Sequence, residues 1–185
     1  KEGEISLKVG AIVVATGFDL FDASKLPQYG YPSDRVITGL EFERLCNASG
    51  PTGGKILVNG SEPKKVAFIQ CVGSRDRKGN EYCSRVCCMY TAKHAHLIRE
   101  RIPGADVTVF YTDVRAFGKG FEEFYNRVRD EGVKYIRREL NEPIEVVKKE
   151  EGVLIKAECA GDKVEIDAEL VILATAIVPK KDAAD

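Results

Sequence analysis

Four of the six cysteines in this 185-residue chain fall in one stretch, QCVGSRDRKGNEYCSRVCCMYTAKHAH, residues 70–96. They are Cys71, Cys83, Cys87 and Cys88. Eleven residues separate the first two, three separate the next two, and the last two are adjacent. Iron–sulfur clusters and zinc ions both take cysteine thiolates in closely spaced sets. Zinc sites are usually written as two short pairs divided by a longer span. One remote cysteine with three bunched ones fits a cluster better. A Cys87–Cys88 disulfide is opposed by the strain of bridging neighbours. A buried cysteine can also be just a small hydrophobe. The Ser, Arg, Asn, Glu and Lys residues around these four oppose that reading.

The elements on either side must position the thiols. The apolar run 66–70 predicts a strand leading into Cys71, and a helix is predicted from 83 or thereabouts to 101. The cysteines therefore stand where a strand ends and a helix begins, which is where open α/β sheets bind ligands. The positive end of a helix dipole there favours thiolates and partly offsets an anionic cluster.

In chain order, 10–17 (GAIVVATG) predicts a buried strand ending in a glycine turn. Residues 26–33 are turn-rich. The stretch 38–47 predicts a short helix with Thr38 as cap and Glu41 three residues on. Residues 49–54 and 61–63 are breaks. Strands are predicted at 106–111 and 134–138, with a helix at 120–130 between them. Three short β segments, 144–148, 153–159 and 164–166, predict a meander. Residues 169–175 (ELVILAT) predict a last buried strand. The fold class is α/β: a Rossmann-like parallel sheet with helices and a β-meander flap, plus a short flavin-domain remnant.

The chain's 44% hydrophobic and 31% charged residues support a real core. A net charge of -1 argues against non-specific nucleic-acid binding. No apolar run nears the roughly 20 residues of a membrane span, and no signal peptide is visible in KEGEISLKVG. Six cysteines without a secretory signal point to a reducing compartment, the cytoplasm. Both ends look cut, as in a piece of a longer protein.

Other motifs carry less. A dinucleotide fingerprint, G-x-G-x-x-G, belongs after the strand at 66–70. Here the sequence is QCVGSR, and only Gly73 remains of the glycine pattern, which opposes direct NAD(P) binding. Gly50 to Lys55 resembles a P-loop but is one residue short, with Ile56 where Ser or Thr should stand; it is read as a turn. His94 and His96 are two apart on a helix and face different ways, so packing is expected of them. Cys46 and Cys159 are isolated. Arg75, Arg77 and Lys78 form a small basic patch beside the thiols, either a solvated loop or a stabiliser of a reduced cluster.

The stretch KKVAFIQCVGSRD followed by YCSRVCCMYTAKHA resembles the heterodisulfide reductase A-subunit family. GAIVVATGFDLFD, GLEFERLCNASGPTGG and ELVILATAIVP agree, so the likeness runs over nearly the whole chain. The resemblance implies a flavoprotein built like thioredoxin reductase. Its second Rossmann-like domain carries a [4Fe-4S] cluster in place of NADPH. Such proteins relay electrons among partner subunits and, in methanogens, take part in electron bifurcation. By this resemblance Cys71, Cys83, Cys87 and Cys88 are the cluster ligands, and Ala15, Thr16 and Gly17 form the strand-end motif next to FAD. Ala174-Thr175 resembles the second such crossing, with Ala176 replacing the usual Gly.

The FAD-phosphate fingerprint, ferredoxin-type cysteine runs and a C-x-x-C dithiol are all missing from the sequence. An isolated piece of this kind is expected to be inactive and to bind FAD poorly. The domain reading is 1–62 as the end of a FAD domain and connector. Residues 63–185 then form the cysteine-bearing NAD(P)-binding-like domain, whose last strand returns to the FAD domain. The expected function is electron relay through the cluster beside FAD, with other reductase subunits and redox proteins as partners. The alternatives are a pyridine-nucleotide disulfide oxidoreductase with a redox-active dithiol, and a zinc-stabilised interaction domain.

Overall fold

The computed structural model describes residues 3–76 and 80–181. Its centre is a five-stranded sheet built from β2 (Val36–Thr38), β3 (Lys65–Val72), β4 (Asp106–Tyr111), β5 (Lys134–Arg137) and β9 (Leu170–Thr175). The strand order is β2-β9-β3-β4-β5, and every pairing is parallel. β9, β3 and β4 are rich in Val, Ile and Phe at consecutive positions, as strands covered on both faces must be.

Three helices cover one face: α1 (Gly39–Cys46), α2 (Cys87–Arg101) and α3 (Phe121–Asp130). Phe42, Ala92, Ala95, Ile98 and Val128 pack there on Val66, Phe68 and Ile172. A three-stranded antiparallel meander lies on the other face: β6 (Ile144–Lys148), β7 (Val153–Cys159) and β8 (Asp162–Ala168). Its Ile144, Ile155 and Ala157 meet Ala67, Ile69 and Leu173 of the central sheet. The α/β class expected from the sequence is what the chain forms, in three layers.

β2 and α1, from the stretch before residue 63, complete this sheet and its helix-side core. Helix α1 begins as its sequence requires. The Thr38 hydroxyl accepts from the Glu41 N–H, and the Glu41 carboxylate accepts from the Thr38 N–H at 2.6 Å. A separate two-stranded ribbon pairs β1 (Phe18–Leu20) with β10 (Ile177–Pro179).

Two expectations change. Residues 10–17 are not a buried strand: the segment is irregular, and Ile12, Val13 and Val14 are largely exposed. A strand apolar on both faces needs neighbours, and no strand among the described residues pairs with this one. Helix α2 starts at Cys87, not near 83, because residues 80–84 are held in a loop by side-chain and backbone hydrogen bonds.

Candidate functional site

The C-terminal end of β3 is distorted where the first cysteine falls. The pairing of β3 with β9 shifts register between Ile69 and Val72, and Cys71 has φ +62°, a left-handed conformation uncommon for a non-glycine residue. The extra residue breaks the alternation of the strand and turns Cys71 out of the ladder. Arg75 (φ +61°) and Arg85 (φ +65°) are also left-handed. Such backbone costs on the order of 1–3 kcal/mol per residue and persists only where the surroundings hold it.

Hydrogen bonds bring Cys83 back across its eleven-residue spacer. The Ser74 hydroxyl and the Arg75 N–H both donate to the Tyr82 carbonyl, at 2.7 and 3.1 Å. The Asn80 amide donates to the Gly73 carbonyl at 2.9 Å. The residues flanking Cys83 then grip one residue of β10: Tyr82 Oη donates to the Ile177 carbonyl at 2.8 Å, and the Ile177 N–H donates to Ser84 Oγ at 2.9 Å. Cys83 is fixed between these two anchors, partly exposed, and its sulfur accepts the Arg85 N–H at 3.4 Å.

Cys87 and Cys88 open α2, and both are buried. No side chain among the described residues caps this helix, so the partial positive charge of its first turn lies at the two thiols. The Cys88 thiol donates weakly to the Asp113 carbonyl at 3.6 Å and to Gln70 Oε1 at 3.8 Å. Asp113 lies just past β4 and pairs with Arg75 at 2.9 Å and Arg115 at 3.3 Å.

Cys71, Cys87 and Cys88 lie close enough to perturb one another. Cys88 is lowered to about 7, chiefly because Cys87 donates a hydrogen bond to it, helped by the Arg115 backbone N–H. Cys87, the donor, is pushed up by that bond, by burial and by the charges of Cys88, Cys71 and Cys83. Cys71 is raised by burial and by Cys88, against the pull of Arg75. Among the described residues no three His, Cys, Asp or Glu side chains converge as a single ion requires.

The remaining residues singled out in the sequence lie elsewhere. Cys46 is a core residue at the end of α1, its thiol pushed up to about 11 by burial, and Cys159 is buried in the meander. Ala15, Thr16 and Gly17 are exposed in the irregular segment before β1. Gly50–Gly54 is a turn. Arg75 reaches Asp113, whereas Arg77 and Lys78 lie outside the described residues. Sequence reasoning assigned nothing to Gln70, Tyr82, Ser84, Asp113 or Arg115. The only signal for the last two was their position after β4, beside the end of β3.

The histidines part company, as their spacing implied. His96 meets Glu131 at 2.8 Å. His94 is buried against Phe42, and its Nε2 donates to Glu43 at 2.6 Å. Burial holds the His94 imidazole below its ordinary value, outweighing the pull of Glu43. The folded protein therefore binds this proton less readily than the unfolded chain. Its contribution is complete above about pH 6.5 and is lost as pH falls below that. Urea midpoints are expected to drop between about pH 7.5 and about pH 5.5, and His94→Leu should flatten that slope. Equal slopes in the two proteins would contradict the assignment.

No family model matches the chain. It is 49% identical over 97% of its length to the A-subunit of H(2):CoB-CoM heterodisulfide,ferredoxin reductase of Methanothermobacter marburgensis, covering 28% of that protein. It is 49% identical over 96% of its length to the second iron-sulfur A-subunit of CoB--CoM heterodisulfide reductase of Methanopyrus kandleri, again covering 28%. Over this segment the chain belongs to the heterodisulfide reductase A-subunit family. It spans under a third of the length of those relatives. Among solved structures, histamine dehydrogenase from Rhizobium sp. 4-9 is similar at 17% identity and TM-score 0.48, over 92% of this chain and 23% of that one. No helix among the described residues is long and apolar enough to cross a membrane.

Proposed function

We propose that the chain is an electron-transfer segment of an iron–sulfur flavoprotein of the heterodisulfide reductase A-subunit type. In this reading Cys71, Cys83, Cys87 and Cys88 hold one [4Fe-4S] cluster beside FAD. The observation that supports it is that a strained β3 end, a pinned loop and a helix start present Cys71, Cys83, Cys87 and Cys88 at one end of the sheet, where Cys71, Cys87 and Cys88 perturb one another. When bound, such a cluster exchanges one electron at a time, here with a flavin on one side and a partner redox protein on the other.

The residues present fit that group. The Cys88 thiol is held below its ordinary value, which favours the deprotonated form that binds metal. Arg75, Arg115 and the helix start supply positive charge, and Asp113 offsets part of it by pairing with both arginines. The Tyr82 and Ser84 anchors hold Cys83 to β10. Because β10 pairs with β1, the clamp ties the cysteine loop to the strand that follows Ala15, Thr16 and Gly17.

Residues 1–62 then finish a flavin domain and a connector whose β2 and α1 pack into the cluster-bearing domain formed by 63–185. The partners are the other subunits of a heterodisulfide reductase-like complex, working in the cytoplasm. Six free thiols suit its reducing conditions. The test is the EPR spectrum of the iron-loaded, dithionite-reduced protein. About one unpaired electron per chain is expected. An iron-loaded sample that stays silent through reduction would overturn the relay.

A further inference from the structure

Gln70, the residue before the remote cysteine, is buried to 3% exposure, and its Nε2 has no hydrogen-bond partner among the described residues. Its Oε1 instead faces the Cys88 sulfur at 3.8 Å, accepting from the thiol. That arrangement holds only while Cys88 keeps its proton. A thiolate has nothing to donate, and a carbonyl oxygen would then face a sulfur anion. Turning the amide about its last torsion exchanges oxygen for nitrogen at almost no change of shape. The two N–H groups, idle in the protonated form, then meet the anion.

We propose that the Gln70 amide is a hydrogen-bond donor to the Cys88 sulfur in its deprotonated, cluster-holding state, and that this bond raises the reduction potential of the group held there. Gln70 is thus a positioning and tuning residue. The inference rests on the cluster reading under Proposed function. Reduction adds one electron and with it negative charge on the sulfurs. A donor aimed at one of them stabilises the reduced state more than the oxidised state. Gln70 is placed for this by β3: it shares the helix-facing side with Val66 and Phe68, directly under the start of α2, whereas the shifted register carries Cys71 away.

The test compares wild type and Gln70→Met in the full-length protein by an EPR-monitored potential titration, with iron determined on each sample. Methionine keeps the length and the burial and removes both donors. The variant is expected to hold the same iron per chain. At a fixed poise its reduced-to-oxidised ratio should fall about tenfold, equivalent to about 59 mV for one electron. Should Gln70→Met lose its iron, Gln70→Leu removes the same N–H groups without adding a charge. It too should titrate at a lower potential. An iron-replete variant at the wild-type potential overturns the role of Gln70 and leaves the cluster reading intact. Wild type that takes up no iron overturns both.

Discussion

Cys71→Ser is expected to strip most of the bound iron from the protein while leaving its fold in place. Cys71 is the remote ligand, alone at the end of β3, and no neighbouring thiol can substitute for it. Cys46 and Cys159 are the other two cysteines, and both are buried in the hydrophobic cores on the two sides of the sheet. Serine matches the shape, but its hydroxyl stays protonated near pH 7 and is a harder donor than iron–sulfur sites select. The loss should exceed the roughly 10–100-fold that outer-sphere partners cost in metal affinity. Stability should barely move, by about 0.5 kcal/mol or less, because Ser takes the same left-handed backbone at the same cost. Iron per chain and a urea midpoint, read on one sample, separate ligand loss from unfolding. Cys46→Ala is the control and should keep its iron. Unchanged iron in Cys71→Ser would remove that residue from the site.

The second large effect belongs to a residue with no side chain. Gly73 has φ +73°, and a Cβ added there would stand 2.3 Å from Cγ and Cδ1 of Phe21. Alanine pays about 1–2 kcal/mol for the left-handed backbone and about 1–3 kcal/mol more for the overlap with the ring. Gly73→Ala should therefore cost about 2–5 kcal/mol. The strain falls between Cys71 and Ser74, whose hydroxyl holds Tyr82 and through it Cys83. Iron retention should fall together with the urea midpoint. Gly104→Ala isolates the backbone term, since Gly104 has φ +80° and no described residue lies within 4 Å of its Cβ. If Gly73→Ala costs no more than Gly104→Ala, the contact with Phe21 contributes nothing.

Legibility from sequence followed the range of the interactions. The β4 strand spans 106–111 as expected, because its apolar run is bounded by a Pro-Gly pair on one side and polar residues on the other. Helix α1 was readable from Thr38 and Glu41, three positions apart. The strand β2 was missed: three residues are too few for a period, and its place comes from pairing with β9, more than a hundred residues on. Residues 10–17 were misread for the converse reason. An apolar run gives its composition, but a buried strand also needs neighbours.

The cysteines themselves were plain in the sequence, because their chemistry is unusual and their spacing is short. What organises them was not. The grip of Tyr82 and Ser84 on Ile177 spans 95 and 93 residues of chain. The bulge at Cys71 and the idle amide of Gln70 exist only once β3, β9 and α2 are side by side. Gly73, the one residue left of a phosphate-binding pattern, was noticed for a chemistry it does not serve. In the folded chain it lets Phe21 close on the loop.

The most direct measurement of the central claim is metal and sulfide per chain after anaerobic reconstitution with iron and sulfide in the presence of competing zinc. About four irons with matching acid-labile sulfide and no stoichiometric zinc is the expected result for one four-cysteine cluster. A colourless protein with one zinc per chain, or with free thiols and no metal, would contradict it.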